Sequence, residues 1–122
     1  MTTQDVANKL ITLCRHGQME QAVRELYAEE VISIEPHGVP AQEVRGLNNV
    51  IKKGQQFNEM VESVHKYEIS NPIIAENFFS CAMKMDLTFK GAPRSTIEEI
   101  CVYQVIDGKI VQEQFFFTVD IL

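Results

Sequence analysis

The residues best suited to chemistry lie around Glu35, in the stretch SIEPHG at positions 33–38. The alternating residues from Val31 to Ile34 predict a short strand, and Pro36 ends it with a rigid backbone. A carboxylate at a strand end that faces apolar side chains is poorly solvated in its charged form, so it takes up a proton readily. The stretch therefore predicts a general base. A solvated carboxylate, or an ion pair with Arg45, is the alternative interpretation.

Two strands near the carboxyl end carry the other titratable candidates. Side chains alternate between the two faces of a strand. In the first strand, Ile97 to Ile106, one face holds Glu99, Cys101, Tyr103 and Val105. In the second strand, Lys109 to Phe117, one face holds Val111, Glu113, Phe115 and Phe117. Both faces of these strands are apolar, so the pattern alone leaves open which face looks inward.

Three helices are predicted from apolar residues at helical spacing. The first follows the polar start at positions 2–5 and ends at Gly17, which supplies a left-handed stop. The second covers Met19 to Tyr27 after a very short turn, so the two helices form a hairpin. The third covers Leu47 to Val61 despite Gly54.

The second half of the chain has the apolar period of strands. A strand at about 65–76 contains Pro72, which indicates an edge or a bulge. A long strand runs from Phe79 to Phe89, and Asp107-Gly108 joins the last two strands with the residues favoured in a type I′ hairpin. Helices on one face of a curved antiparallel sheet predict an α+β fold, and 122 residues fit one domain, 1–122.

The charge balance disfavours two classes of partner. The chain has 11 Lys and Arg against 17 Asp and Glu, a net charge of −6. Binding to nucleic acid or to an anionic membrane needs a basic surface, so neither is expected.

The cysteines and histidines indicate the compartment and the absence of a metal. Cys14, Cys81 and Cys101 lie far apart in apolar runs, which is typical of reduced thiols packed in a core. With no basic leader and no span of membrane length, we expect a cytoplasmic protein. The three histidines lack metal-ligand spacing to a carboxylate or thiol, so neither a metal nor a cofactor is predicted.

The order of elements resembles one known superfamily over nearly the whole chain. The stretches LYAEEVISIEP, VRGLNNVIKKGQQF and VYQVIDGKIVQEQFFF resemble the SnoaL-like branch of the nuclear transport factor two-like superfamily. The resemblance implies a cone, in which a strongly bent sheet wraps around three helices and encloses an apolar pocket. The superfamily includes polyketide cyclases, ketosteroid isomerase, epoxide hydrolases and dehydratases, as well as non-catalytic binding and dimerisation modules. The fold alone therefore does not select a function.

The resemblance also implies roles for individual residues. Glu35 falls where ketosteroid isomerase has an acid followed by proline, which acts as its proton-shuttling base. The faces that carry Glu99 and Val111 are implied to point inward, which would place Tyr103 in the pocket as a hydrogen-bond donor and Glu113 as a second acid. The two oxyanion-hole donors of that enzyme fall near Ile11 and Cys101 in this sequence. Steroid isomerisation by that mechanism is therefore not expected.

Further residues are expected to line the pocket. Flexible methionine side chains suit a pocket that tolerates ligands of different shape. The expected ligand-binding residues are His37, Phe57, Met60, Met83, Met85, Glu99, Cys101, Phe115 and Phe117. Simple core packing is the alternative for the apolar members and for Tyr103, and simple exposure is the alternative for the turn residue His37.

Two functional hypotheses follow. The first is a cofactor-free enzyme that moves a proton on, or adds water to, a hydrophobic cyclic small molecule, with Glu35 as base. The second is a non-catalytic module that binds an apolar ligand or serves as a dimer building block. A homodimer is expected in either case, because the outer sheet face would expose an apolar patch. The residues expected in that patch are Ile100, Val102, Ile106, Ile110 and Phe116.

Overall fold

The structure is a computed structural model that describes residues 1–119. It contains the three predicted helices, α1 (Thr3–Arg15), α2 (Met19–Leu26) and α3 (Leu47–Met60). Gly54 does not interrupt α3. Within residues 1–119, no helix combines the length and the apolar character that crossing a bilayer requires.

Helix α1 begins and ends where its sequence predicts. The N–H of Asp5 donates to Thr2 Oγ1 at 3.1 Å, and the N–H of Thr2 donates to Asp5 Oδ2 at 3.0 Å. This reciprocal pair is a capping box, which satisfies N–H groups that the first helical turn leaves free. At the other end Gly17 has a φ of +71°, the left-handed conformation that lets the chain turn directly into α2.

Helix α2 ends one residue earlier than predicted. Tyr27 has extended backbone angles, φ −94° and ψ 143°, and begins strand β1 (Tyr27–Ile34). Its side chain is buried at the start of the sheet. The strand also begins earlier than predicted, because Glu29 and Glu30 are both exposed and break the alternation that marks its later part.

The remaining strands complete a mixed sheet. They are β2 (Glu43–Arg45), β3 (Val61–Ile69), β4 (Ile73–Ala75), β5 (Phe78–Phe89), β6 (Arg94–Ile106) and β7 (Lys109–Phe116). Their order is β2-β1-β7-β6-β5-β3, and β4 pairs with β5. Strand β1 is parallel to β7, whereas the other pairs are antiparallel. The sheet was predicted to be antiparallel, and the pair of β1 and β7 is the exception. These two strands are far apart in the sequence and no hairpin joins them, so no turn indicates their relative direction.

Proline and glycine account for two further features of the sheet. The strand predicted at about 65–76 is two strands, β3 and β4, with Pro72 between them, because proline has no N–H to donate to a ladder. The hairpin between β6 and β7 is as predicted. Asp107 and Gly108 both have positive φ, 51° and 75°, as a type I′ turn requires.

The inner face of the sheet packs against the helices and forms the core. On β6, Cys101, Tyr103 and Val105 are buried while Ile100 and Ile106 are exposed. The orientation implied for this strand is therefore confirmed.

Strand β7 departs from simple alternation near its start. Ile110 pairs with Val105, whereas Gln112 pairs with Gln104, so Val111 occupies a bulge. As a result Ile110 is fully buried and Val111 is only half-buried. The prediction that Ile110 belongs to the outer patch was wrong, because the extra residue in the bulge brings Ile110 onto the inner face.

Candidate functional site

Glu35 follows the last residue of β1 and is held at the opening of a short loop. Its backbone N–H donates to the carbonyl of Gln42 at 2.7 Å, which closes the loop that Pro36 begins. The Glu35 side chain is only 14% exposed, and its Oε1 lies 2.6 Å from Nζ of Lys53. The partner considered from the sequence, Arg45, is instead paired with Glu43 at 2.8 Å.

Lys53 reaches this position from α3. It lies three residues after buried Val50 and four before Phe57, so it shares the helix face that packs against the core. Its side chain is 25% exposed. Besides Glu35, the ammonium donates to Ser33 Oγ at 2.8 Å and lies 5.3 Å from the centre of the Phe115 ring. An ammonium over an aromatic face is attracted by the ring, so Phe115 helps to hold it there.

Ser33 connects this ion pair to a buried carboxyl group. Ser33 lies opposite Glu113 in the parallel pair of β1 and β7, and its hydroxyl donates to Glu113 Oε2 at 2.6 Å. The phenol of Tyr27 donates to Oε1 of the same carboxyl group. A continuous chain of hydrogen bonds therefore runs from Glu35 through Lys53, Ser33 and Glu113 to Tyr27.

The buried end of this chain is electrostatically unusual. Burial raises the pKa of Glu113, and the hydrogen bonds from Ser33 and Tyr27 and the charge of Lys53 oppose the rise. Burial also raises the pKa of Tyr27 well above its ordinary value, and the neighbouring Glu113 raises it further. Tyr27 therefore keeps its proton and remains a donor at neutral pH.

Glu99 is a third carboxyl group of the inner face. Burial raises its pKa to about 7, the negative charges of Glu35 and Glu113 add to the rise, and the Cys101 thiol opposes it by donating to Glu99 Oε1 at 3.6 Å. A carboxyl group of this kind changes its protonation near neutral pH. Groups with shifted pKa values are common at functional sites, and three carboxyl groups with one ammonium here can hold and move protons.

Tyr103 lies deeper than its expected role as a pocket donor implies. Its ring is buried and stacks on Phe79, with the ring centres 4.7 Å apart. Burial raises the pKa of Tyr103 well above its ordinary value, so it is a neutral phenol. The tyrosine that hydrogen-bonds to Glu113 is Tyr27, not Tyr103.

The other expected pocket residues divide by exposure. Those that are buried are Met83, Met85 and Cys101. Those that are half-buried are Phe57, Glu99, Phe115 and Phe117. Those that are exposed are His37 and Met60. The structure therefore does not bring His37 and Met60 into the buried wall, whereas the other members lie on or beside the inner face.

A cavity of about 840 Å³ opens among β3, β5, β6 and the end of β7. Three of the expected pocket residues, Met83, Glu99 and Phe117, contribute to its lining. Exposed residues of the outer face, such as Lys84 and Ile100, line it as well. Within residues 1–119 its lining includes neither Glu35 nor Glu113, so an apolar pocket beside those two carboxyl groups stays a prediction.

Three residues of the hydrogen-bonded chain were not predicted from the sequence: Tyr27, Ser33 and Lys53. For two of them the sequence contains a pattern that could have indicated the site. Ser33 stands two residues after buried Val31 and two before Glu35, so the alternation of β1 places it on the inner face. Lys53 interrupts the apolar stripe of α3 at its core-facing position. Tyr27 has no such signal, because its spacing fits the helical stripe of α2 equally well.

Among residues 1–119, no three His, Cys, Asp or Glu side chains lie close enough together to hold a metal ion.

These features define a class of protein, namely cone-shaped α+β domains with carboxyl groups along the inner face of the sheet. The chain belongs to the SnoaL-like domain family, whose model matches residues 1–117. No curated protein matches the chain significantly.

Solved structures share this fold. A candidate SnoaL-like polyketide cyclase, also labelled carbohydrate phosphatase, from Mesorhizobium loti is 27% identical, with a TM-score of 0.90 over 95% of this chain and 99% of that one. An NTF2-like protein from Burkholderia thailandensis is 13% identical, with a TM-score of 0.82 over 97% and 92%. TerC, co-crystallised with polyporic acid, is 11% identical, with a TM-score of 0.77 over 95% and 91%.

Proposed function

We propose that this protein is a cofactor-free catalyst of proton transfer on a hydrophobic cyclic small molecule, as an isomerase, cyclase or hydratase, with Glu35 as general base. The observation that carries the proposal is the position of Glu35. Its carboxylate is 14% exposed at the outer end of a hydrogen-bonded chain that continues to buried Glu113. A base in this position is reachable by a ligand and still shielded from most of the surrounding water.

The neighbouring groups support distinct roles. The ammonium of Lys53, 2.6 Å from Glu35, holds the carboxylate in one orientation through a charge-assisted hydrogen bond. Glu113, with a pKa raised by burial, is suited to the role of second acid, connected to the outer end through Ser33. Tyr103 stays protonated and is suited to donate a hydrogen bond to a ligand that reaches the inner face.

The comparisons support the class of substrate. The relative from Mesorhizobium loti is a candidate polyketide cyclase, and TerC was crystallised with polyporic acid. Apolar and aromatic side chains on the inner face, such as Phe57, Met83 and Phe115, would suit a ring-bearing ligand in this chain as well.

The test is proton exchange in a panel of cyclic ketones, followed by the loss of NMR signal from acidic C–H groups in heavy water. Replacing Glu35 by Gln should reduce enzyme-dependent exchange by about 10²- to 10⁴-fold. Because the variant also loses the ion pair with Lys53, its melting temperature is measured to establish that it is folded at the assay temperature. Glu30→Gln is the matched control, because Glu30 is an exposed carboxylate on β1, the strand that Glu35 follows. Exchange in the Glu35→Gln variant at the wild-type rate would contradict the assignment of the base.

A specific observation favours the second candidate, a non-catalytic module. Ile100, Ile106 and Phe116 are each about half exposed on the outer sheet face. If ketones of the panel raise the melting temperature of the wild type and of Glu35→Gln equally, and neither protein exchanges protons, the chain is a binding module rather than an enzyme.

The same exposed face supports the proposal of a homodimer formed through the outer side of the sheet, which sedimentation at micromolar concentration tests. Cys14, Cys81 and Cys101 are buried free thiols, which supports a cytoplasmic location, where thiols stay reduced. Fractionation of cells that produce the protein tests the location.

A further inference from the structure

We propose that Lys53 is the electrophilic residue of this site: its ammonium binds a substrate carbonyl oxygen and stabilises the enolate that forms when Glu35 removes the adjacent proton. This inference rests on the proposed function and narrows its substrate to carbonyl compounds with an acidic C–H next to the carbonyl group. The positions that correspond to the oxyanion-hole donors of ketosteroid isomerase fall near Ile11 and Cys101, so they do not supply its two donors here. Lys53 would supply a donor from a different position.

The ammonium of Lys53 has a donor to spare and a fixed position. Lys53 has three N–H groups, and within residues 1–119 its hydrogen-bond acceptors are Glu35 Oε1 at 2.6 Å and Ser33 Oγ at 2.8 Å. One N–H group is therefore available for a ligand oxygen. The side chain is 25% exposed, so a ligand can reach it, and the contacts with Glu35, Ser33 and Phe115 fix its position before a ligand arrives.

The ammonium and the base lie next to each other, so proton transfer redistributes charge within the site. Because Nζ of Lys53 contacts the Glu35 carboxylate directly, a carbonyl oxygen bound to Lys53 has its neighbouring carbon close to Glu35. Proton transfer leaves Glu35 neutral, so Lys53 loses its ionic partner at the moment when the substrate oxygen becomes negative. The positive charge then pairs with the enolate, and the total charge of the site does not change.

The step balances without a further reactant. The C–H bond breaks, its proton moves to a carboxylate oxygen of Glu35, and its electron pair forms the enolate C=C bond while the carbonyl π electrons move to oxygen. Return of the proton to the same carbon completes proton exchange. In a substrate with a β,γ C=C bond the anion is a dienolate, and return of the proton to its γ-carbon moves the double bond into conjugation and completes an isomerisation. Either return restores the Glu35 carboxylate. Lys53 keeps its three protons throughout and acts only as a donor.

The other two donors of the hydrogen-bonded chain are already engaged. The hydroxyl of Ser33 and the phenol of Tyr27 both donate to Glu113, and both residues are buried. Turning either donor toward a ligand would leave a buried carboxyl oxygen without its hydrogen bond, which is costly. Lys53 can bind a ligand oxygen without such a loss.

The test uses 4-nitrophenol, because its phenolate resembles an enolate and absorbs at a different wavelength from the neutral phenol. Glu35→Gln mimics the protonated base, so it should bind the phenolate about tenfold more tightly than the wild type does. Adding Lys53→Met to Glu35→Gln should then weaken phenolate binding by about 10- to 100-fold. Lys53→Arg in the same background should restore part of the affinity.

The matched control is Lys52→Met in the Glu35→Gln background, which removes the same charge from an exposed position on the same helix. Its phenolate affinity should stay near that of Glu35→Gln. Equal weakening by both lysine variants would reduce the effect to net charge and overturn the inference. If Lys53→Met leaves phenolate binding intact, the role of Lys53 is overturned. The proposed function still stands in that case, provided that ketone exchange depends on Glu35. No binding of the probe to any variant, together with no exchange, would overturn both.

Discussion

The phenol of Tyr27 donates a hydrogen bond to the carboxyl group of Glu113, although 86 residues separate them in the chain. Tyr27 is the first residue of β1, and Glu113 lies on β7, its parallel neighbour. Both side chains are about 5% exposed. The pair therefore fixes the buried end of the hydrogen-bonded chain that begins at Glu35, and it depends on the register of these two strands.

Tyr27→Phe should lower the free energy of unfolding by about 1–3 kcal/mol, because it leaves a buried carboxyl oxygen of Glu113 without its donor. Urea denaturation measures this loss. Tyr67→Phe is a suitable control, since the phenol of Tyr67 donates only to the weakly accepting sulfur of Met83, at 3.3 Å. A smaller loss for Tyr27→Phe than for Tyr67→Phe would contradict the importance of the buried pair.

Glu99 should make stability depend on pH. Its pKa is raised from 4.5 to about 7, chiefly by burial. Between these values the folded state binds more protons at this group than the unfolded state does, so its contribution to stability is present below pH 4.5 and is lost as the pH rises to about 7. The free energy of unfolding of the wild type, relative to that of Glu99→Gln, should therefore fall across this range by on the order of 2 kcal/mol.

Urea denaturation at several pH values measures this difference. Glu98→Gln serves as the control, because Glu98 is the adjacent carboxylate on the exposed face of β6. It should leave the pH dependence of the wild type unchanged. A wild type and a Glu99→Gln variant whose curves run parallel from pH 4.5 to 7 would exclude a raised pKa for Glu99.

Much of the fold was predictable from local patterns. Helix α1 has its stop at Gly17, the last hairpin has Asp107-Gly108, and from Ile97 to Ile106 the residues of β6 are alternately more and less buried. Each of these features depends on residues close together in the sequence. The bulge at Val111 was not predictable in this way, because it reflects how β7 pairs with β6 rather than any residue type within β7.

The candidate site was less predictable for the same reason. Alternation could place Glu113 on the inner face, but the partners of its carboxyl group come from the parallel neighbour β1, whose pairing with β7 no turn residue announces. Charge alone does not indicate whether Arg45 or Lys53 pairs with Glu35. In the structure Lys53 lies on the helix face that reaches Glu35, and Arg45 pairs with Glu43 instead.

Two glycines should respond oppositely to alanine. A Cβ atom at Gly54 or at Gly17 would meet no other atom within 4 Å, so space does not distinguish them. Gly54→Ala should raise the free energy of unfolding by about 0.5–1 kcal/mol, because alanine favours the helical interior of α3. Gly17→Ala should lower it by about 1 kcal/mol, because φ is +71° there. Thermal and urea denaturation of both variants check this, and a stabilised Gly17→Ala variant would contradict the turn.

The outer sheet face should control assembly. Ile100 and Phe116 pair across β6 and β7 and are 54% and 49% exposed, so in a monomer they would leave adjacent apolar surface in water. A charged residue in such an interface loses its water on association, so Ile100→Glu or Phe116→Glu should weaken a dimer by at least tenfold in dissociation constant, or about 1.4 kcal/mol.

Sedimentation equilibrium over a range of micromolar concentrations measures this, together with the concentration dependence of the melting temperature. Met19→Glu is the control, because Met19 is 42% exposed on α2, away from the sheet. If Met19→Glu disrupts the dimer and Ile100→Glu does not, the interface lies on the helical side of the protein. A wild type that sediments as a monomer at every concentration tested would contradict the proposed homodimer, because the apolar side chains of the outer face would then remain exposed to water.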